Sequence, residues 1–331
     1  YKDGPLALGM HKRGSFYDIV DVPECRIVDE DFHTVLTVTL SYFKERNLPY
    51  YHKLRHTGYL RHLLVRKAVR TGEILIDLVT TSEAQLDEAR LVEKLTGLSY
   101  DGKLAGILHT TNNSLADVVK DEGTKILYGQ DYFYEELLGL KFKITPFSFF
   151  QTNSLGAEVL YEAARSYIGE TKDKVIFDLY SGTGTIAQML APVAKKVIGV
   201  ELNRDAVRDA VKNAKCNNVK NIEFYNADAG QFMVEMAEYR ADAKRGEKSG
   251  ADEVDVVFMD PPRAGSDTAF LSCALTLAPR RIVYVSCNPE TLARDLNFLT
   301  KRGYRAEKIQ PVDMFPHTDH VECVVRLDKM N

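Results

Sequence analysis

Asp178-Leu179-Tyr180-Ser181-Gly182-Thr183-Gly184-Thr185 decides how the second half of this chain is read. It overlaps the end of an apolar run of strand length, Val175 to Leu179, and opens a helical pattern. Glycines at such a junction permit positive φ and let backbone approach a ligand outside the carboxyl ends of parallel strands. Glu201 ends the next apolar run, about 20 positions on, where a carboxylate accepts hydrogen bonds from ribose hydroxyls. The third glycine of the dinucleotide fingerprint is missing, because Ala187 and Gln188 follow Ile186. With it goes the reason to expect a pyrophosphate, so Gly182, Gly184 and Glu201 fit S-adenosylmethionine better than NAD.

Outward from this turn, further short apolar strands alternate with helical stretches: Val197 to Val200, Ile222 to Tyr225, Val254 to Met259 and Ile282 to Val285. Val207, Ala210, Val211 and Ala214 recur at helical spacing and predict a crossover helix. Residues 145–331 therefore read as an α/β domain with a doubly wound parallel sheet. The polar stretch Arg240 to Glu253 reads as an exposed loop. Residues 1–144 read as a smaller α+β domain. Its expected strands are Phe16 to Val22, Leu63 to Val69 and Glu73 to Thr80, the last two joined by a turn at Arg70-Thr71-Gly72. Helices are expected over Asp31 to Arg46 and Ser82 to Leu95.

A net charge of −4 gives no global signature of a polyanion partner. The exception is local: Lys53, Arg55, Arg61, Arg66, Lys67 and Arg70, with His52, His56 and His62 among them, run without an acid and form a candidate phosphate-facing strip. The other reading is a solvated strand face. The five cysteines, Cys25, Cys216, Cys273, Cys287 and Cys323, are scattered without a CxxC pair, which argues for reduced thiols and against a self-contained zinc site. No apolar run reaches about 18 residues and no leader is readable, so a cytoplasmic, membrane-free protein is expected; a monomer is the expected state. A start at Tyr1 rather than methionine is what a fragment or a processed chain would show.

Chemistry concentrates after the later strands. Asp228 can hold an adenine amino group or cap a helix. In Asp260-Pro261-Pro262-Arg263 the prolines force an extended backbone and leave carbonyls to face a planar base. Asp260 itself can accept from a uracil N3–H or hold the cofactor, and Arg263 stands where base amino-methyltransferases carry an aromatic residue. In Ser286-Cys287-Asn288-Pro289, Asn288 reads as an N-cap with proline at the first helical position, and the helix dipole favours a thiolate at Cys287. The competing reading is a small buried thiol. A thiolate added at C6 of uracil makes C5 electron-rich, and the C5 proton must then be removed. Glu322 is the candidate base, with His317 and His320 as alternatives.

Phe149-Phe150-Gln151-Thr152-Asn153, Asp178 to Gly184, Asp260 to Arg263, Ser286 to Pro289 and His320-Val321-Glu322, in this order, resemble the RNA uracil-5-methyltransferases, and among them the bacterial enzymes that methylate uridine in 23S ribosomal RNA. The resemblance runs from about Val20 to the C-terminus and is densest from Phe149 onward. It implies a Rossmann-like methyltransferase domain behind a smaller RNA-contacting domain. It also implies S-adenosylmethionine held by Gln151, Tyr180, Glu201 and Asp260, Cys287 as nucleophile, Glu322 as proton acceptor, and Phe149 against a flipped uracil. Phe149, Gln151 and Tyr180 rest on the resemblance alone. Lys53, Arg55 and Arg61 would be RNA contacts. Many relatives carry an upstream OB-like domain, and some hold an iron-sulfur cluster on four cysteines. Only Cys25 matches such a ligand here, so no cluster is expected in this chain. The alternatives are a transfer RNA uridine methyltransferase, a base amino-methyltransferase and a catalytically dead RNA-binding module.

Overall fold

The computed structural model describes residues 4–15, 18–116, 118–169, 171–244 and 254–330. The chain divides into two compact units, residues 1–136 with 143–147, and residues 137–142 with 148–331.

The first unit opens with the antiparallel pair β1 (Gly9–His11) and β2 (Ile19–Asp21). The strand expected over Phe16 to Val22 is reduced to its last part, and Phe16 and Tyr17 lie outside the described residues. Helix α1 (Glu30–Arg46) starts where the Asp29 side chain accepts the Asp31 N–H and ends at Asn47 in the left-handed conformation. Strands β3 (Leu60–Lys67) and β4 (Glu73–Thr80) form the expected hairpin, with Gly72 at φ 68° in its turn. Helix α2 (Glu88–Thr96) begins six residues later than its apolar pattern, because Asp87 supplies the cap by accepting the Arg90 N–H. Strands β5 (Lys103–Thr111) and β6 (Thr124–Gly129) complete a sheet ordered β3-β4-β5-β6. Ile74, Ile76 and Leu78 on alternate positions of β4 bury against Val35, Tyr42 and Phe43 of α1 and Leu91 and Leu95 of α2. The hairpin β7 (Phe133–Leu137) and β8 (Leu140–Ile144) carries the chain onward to the second unit.

The second unit is a seven-stranded sheet flanked by helices. Its elements are α3 (Ser154–Ile168), β9 (Thr171–Leu179), α4 (Thr185–Leu190), β10 (Ala194–Glu201), α5 (Arg204–Cys216), β11 (Ile222–Asn226), α6 (Ala229–Lys244), β12 (Val254–Met259), α7 (Thr268–Leu277), β13 (Arg281–Ser286), α8 (Pro289–Thr300), β14 (Tyr304–Val312) and β15 (Glu322–Lys329). The order is β11-β10-β9-β12-β13-β15-β14, with the first five strands parallel and β15 antiparallel to both neighbours. The five apolar runs read from the sequence are the five parallel strands. The sequence reading did not contain β14 or the placing of β15 against β13. Of the expected loop at 240–253, residues up to Lys244 are helical and 245–253 lie outside the described residues. The core is continuous from Phe177 and Val257 through Tyr284 to Val325 and Leu327, covered on one side by Phe270 and Leu271 of α7 and by Phe232 and Met233 of α6. Among the described residues no helix is long and apolar enough to cross a membrane.

Candidate active site

The sheet order reverses between β9 and β12: β9 leads outward to β10 and β11, and β12 leads the other way to β13. A crevice opens at such a switch point, outside the carboxyl ends of the strands. Read along that edge, the chain places Asp228 after β11, Glu201 at the end of β10, Asp178 and Tyr180 at the end of β9, Asp260 after β12, Cys287 after β13 and Glu322 at the start of β15. Neighbouring strands lie about 4.8 Å apart, so residues far apart in the chain meet in one row.

The glycine turn divides into two jobs. At Gly184, with φ 77°, an added Cβ would lie 2.7 Å from Phe224 Cζ and 2.9 Å from Ala210 Cβ, so this glycine lets helix α4 pack on the sheet. At Gly182, with φ 54°, an added Cβ would meet nothing within 4 Å, which is the open approach a ligand needs. The Gly182 N–H donates to Glu201 Oε2 at 3.0 Å and the Asn203 N–H to Oε1 at 2.8 Å, fixing that carboxylate while each oxygen keeps a lone pair for a ribose hydroxyl. Tyr180 sits at φ 69°, a left-handed backbone costing about 1–3 kcal/mol that such sites tolerate. Its ring lies 5.9 Å from that of Phe270, and burial pushes its hydroxyl up to about 12.

Asp178 is the acid buried deepest in this row. It is fully buried, the Ala187 amide leans on it, and yet neither oxygen completes a hydrogen bond. Burial, and then the Asp260 carboxylate, holds its carboxyl well above the usual range. Asp260 is likewise raised, to about 7, by burial and by Glu322; it keeps some solvent contact while its surroundings are densely packed. Glu322 is only 6% exposed, and burial raises it too. Tyr161 of α3 is buried beside these acids, its hydroxyl meeting the Gln151 side chain, and burial raises it further. The sequence reading gave no role to Asp178 or Tyr161. Asp178 had a visible signal, an acid ending a strand before a glycine turn. Tyr161 had none, because a mid-helix aromatic looks like any core residue.

The β13–β15 ladder pairs Ser286 with Cys323, and the next step of that antiparallel register sets Cys287 opposite Glu322. Asn288 caps α8 as expected, accepting the Glu290 N–H at 3.1 Å. The thiol departs from expectation. Burial raises its pKa, Glu322 and Asp260 raise it further, and Arg263 and the residue's own backbone amide oppose them. Burial first, and then the neighbouring unit charges, outweigh the partial charge of a helix terminus.

The Asp260 loop also differs in detail. The Pro262 carbonyl accepts the Gly265 N–H at 2.8 Å, so it is turned inward rather than left for a base. Helix α8 fixes residues 263–266: Asn288 Nδ2 donates to Arg263 O at 3.1 Å, Arg294 donates to Ala264 O and Ser266 O, and Asp295 accepts the Ser266 N–H at 2.8 Å. The Arg263 guanidinium reaches His320 Nδ1 at 3.4 Å, and His317 and His320 are both exposed, unlike Glu322. Asp228 is a helix cap, its Oδ1 accepting the Gln231 N–H at 2.9 Å. Phe149 is 73% exposed and packs into none of this.

In the first unit, the basic strip is partly used by the fold. Arg61 donates to the carbonyls of Asn112, Ser114 and Ala116, Arg66 donates to Thr145 O, and Lys67 pairs with Asp29 and Asp31. Lys53 reaches His11 Nε2 at 3.2 Å, and Arg55 is exposed. Cys25 is half-buried and Cys323 buried.

A row of buried acids beside an open glycine turn suits a nucleoside ligand with net positive charge. S-adenosylmethionine has two cationic groups against one carboxylate, whereas a dinucleotide pyrophosphate would meet the same acids as repulsion. Fold and site together define a Rossmann-like methyltransferase. The profile of the tRNA (uracil-5-)-methyltransferases matches residues 73–330. An RNA methyltransferase of Clostridium tetani is 50% identical over 326 residues, covering 98% of this chain and 68% of that protein. One of Caldanaerobacter subterraneus is 46% identical, covering 99% and 70%. The structure of the Pyrococcus abyssi tRNA (uracil-54, C5)-methyltransferase with S-adenosyl-L-homocysteine superposes with a TM-score of 0.77 at 29% identity, covering 98% of this chain and 74% of that one. The chain belongs to the RNA (uracil-5-)-methyltransferase family of enzymes, which take their methyl group from S-adenosylmethionine.

Proposed function

We propose that this enzyme methylates C5 of a uridine in RNA through a covalent adduct between Cys287 and C6. The observation carrying the reading is the register that sets Cys287 opposite Glu322, with Asp260 on the next strand. The Gly182 turn, Glu201, Asp178 and Asp260 would hold S-adenosylmethionine, with Gln151 and Tyr180 beside them; when bound, it supplies a methyl cation equivalent to C5. The Arg263 guanidinium opposes the carboxylates around the thiol and eases loss of its proton. The Cys287 thiolate then bonds to C6, and the electron pair of the C5–C6 double bond moves toward C5. After methylation Glu322, which burial makes a stronger base than an ordinary carboxylate, takes the C5 proton. The C6–S bond breaks, the double bond re-forms and the thiolate leaves. A uracil within a stack is poorly reached, so a flipped loop uridine is the expected substrate, with the exposed Phe149 ring available to lie on it.

The motif set running from Phe149 to Glu322 favours 23S ribosomal RNA. Transfer RNA is the second reading, favoured by the likeness to an enzyme acting on uracil-54 of tRNA. RNA of either kind carrying 5-fluorouridine should trap the protein covalently in the presence of S-adenosylmethionine, and Cys287→Ala should abolish the trap. Glu322→Gln should methylate normal RNA but remain attached to it. Trapping by Cys287→Ala, or methyl found on an exocyclic amine, refutes the mechanism.

A further inference from the structure

A hollow of about 490 Å³ lies within the first unit, bounded by the segment entering β1, by α1, by β3 and by residues 50–53. That volume falls in the range of small-ligand sites, roughly 300–1,000 Å³. Its lining is of two kinds: apolar side chains such as Leu40, Phe43 and Leu63, and a set of aromatic and basic ones, Tyr50, Tyr51, His52, Lys53 and Arg61. Among the described residues no Asp or Glu lines it. The Tyr50 and His52 rings are stacked 22° from parallel at 6.4 Å, and the Arg61 guanidinium lies 4.1 Å over the Tyr51 ring.

Two buried polar groups in this lining have nothing to bond. Thr39 is 2% exposed and its hydroxyl has no partner, and the Arg61 Nε–H is buried without an acceptor although the rest of that guanidinium is engaged. A buried polar group left unpaired costs about 1–3 kcal/mol, so a site retaining two invites a ligand with matching edges. A purely apolar occupant would leave both unsatisfied and would not use the cations. An acidic peptide would use the cations but not the stacked rings. A flat heterocycle with polar edges, attached to a phosphate, uses all three.

We propose that this hollow receives a nucleotide of the substrate RNA other than the target uridine, its base against Tyr50 and His52 and its phosphate toward Lys53 and the exposed Arg55. The proposal rests on RNA being the substrate. It assigns to the first unit a base-binding role beyond phosphate contact.

The test uses single-stranded RNA carrying 4-thiouridine or 6-thioguanosine at successive positions around the methylated uridine, cross-linked to the protein by light and mapped by mass spectrometry. A cross-link at Tyr50, Tyr51 or His52 from a base other than the target is the expected result. Tyr50→Ala should remove it and raise the KM for RNA about fivefold or more, the loss typical of one stacked base. Thr39→Val, which keeps shape and removes the hydroxyl, should raise that KM about threefold or more. Both variants should keep the wild-type unfolding temperature and the wild-type affinity for S-adenosylmethionine, which separates lost RNA binding from misfolding. Methylation with no cross-link in the hollow and no change in KM overturns the inference and leaves the methyltransferase reading standing. Protection of Tyr50 from hydroxyl-radical labelling without RNA also overturns it, because the hollow would then be filled by protein. Failure to bind or methylate any RNA would instead strike the proposed function.

Discussion

Replacing each of the two glycines of the cofactor turn by alanine should give opposite phenotypes. At Gly184 the new Cβ falls 2.7 Å from Phe224 Cζ and 2.9 Å from Ala210 Cβ, at a backbone φ of 77°. The left-handed backbone costs an alanine about 1–2 kcal/mol and overpacking a close-packed core adds about 1–3 kcal/mol. Gly184→Ala should therefore lose about 2–5 kcal/mol, a large share of the 5–15 kcal/mol typical of a folded domain. For a unit of this size, about 2–4 °C per kcal/mol places the fall in unfolding temperature at about 4–20 °C. At Gly182 the φ of 54° imposes similar strain, but nothing lies within 4 Å of the new Cβ. Gly182→Ala should lose only about 1–2 kcal/mol of stability, while its methyl group occupies the approach a ligand needs and weakens S-adenosylmethionine binding tenfold or more, about 1.4 kcal/mol. Calorimetric unfolding and isothermal titration with S-adenosylmethionine, run on both variants, give the two numbers for each. If Gly184→Ala unfolds within 2 °C of wild type, or Gly182→Ala binds the cofactor normally, the division of labour assigned to the turn is wrong.

Asp260→Asn should lower the pH at which iodoacetamide alkylates Cys287, because it removes one of the carboxylates that raise the thiol; peptide mapping distinguishes this site from the exposed Cys216, and an unchanged or higher midpoint refutes the assignment. The same variant tests linkage. Asp260 has its pKa raised by folding to about 7, so the folded state holds its proton more tightly and wild-type stability falls as pH rises from about 4 to 7. Asp260→Asn should thus match wild type in unfolding temperature at pH 4 and exceed it at pH 8 by several degrees, about 1–2 kcal/mol. Arg281 is buried, donates to the carbonyls of Tyr167 and Ile168 and pairs with Asp328 at 2.6 Å. Arg281→Met should cost about 2–4 kcal/mol in urea unfolding, since it strands two helix-end carbonyls and leaves Asp328 to Arg326 alone, and a loss below 1 kcal/mol would mean water replaces it freely.

Local patterning made the parallel half of the second unit legible. A central strand buried on both faces reads as a near-continuous apolar run, and Val254–Met259, interrupted only by Asp255, appeared in the sequence with its final boundaries. Caps gave the helix starts at Asn288 and Asp228; at Asp228 the Gln231 N–H engages Oδ1 and leaves Oδ2 for the other reading. The first unit was less readable. Lys103–Thr111 pairs in parallel with Glu73–Thr80 across the intervening helix α2, and Thr124–Gly129, at the sheet edge, buries no residue fully, which dilutes its apolar alternation.

What the sequence alone determined was the set of residue types and their order: a glycine turn, a ribose-binding acid, a proline-flanked aspartate, a thiol before a helix and a late glutamate. Those depend on short-range chemistry, on φ, caps and spacing, which a few consecutive residues carry. Tertiary structure decided which of these residues interact. The antiparallel insertion of Glu322–Lys329 between Arg281–Ser286 and Tyr304–Val312 is a long-range pairing that no local signal specifies, and it alone brings Glu322 opposite Cys287. Likewise the raised pKa values of Asp178, Asp260 and Cys287 belong to no single residue. They arise because folding gathers several carboxylates at one edge of the sheet and withdraws them from water, where charge costs most.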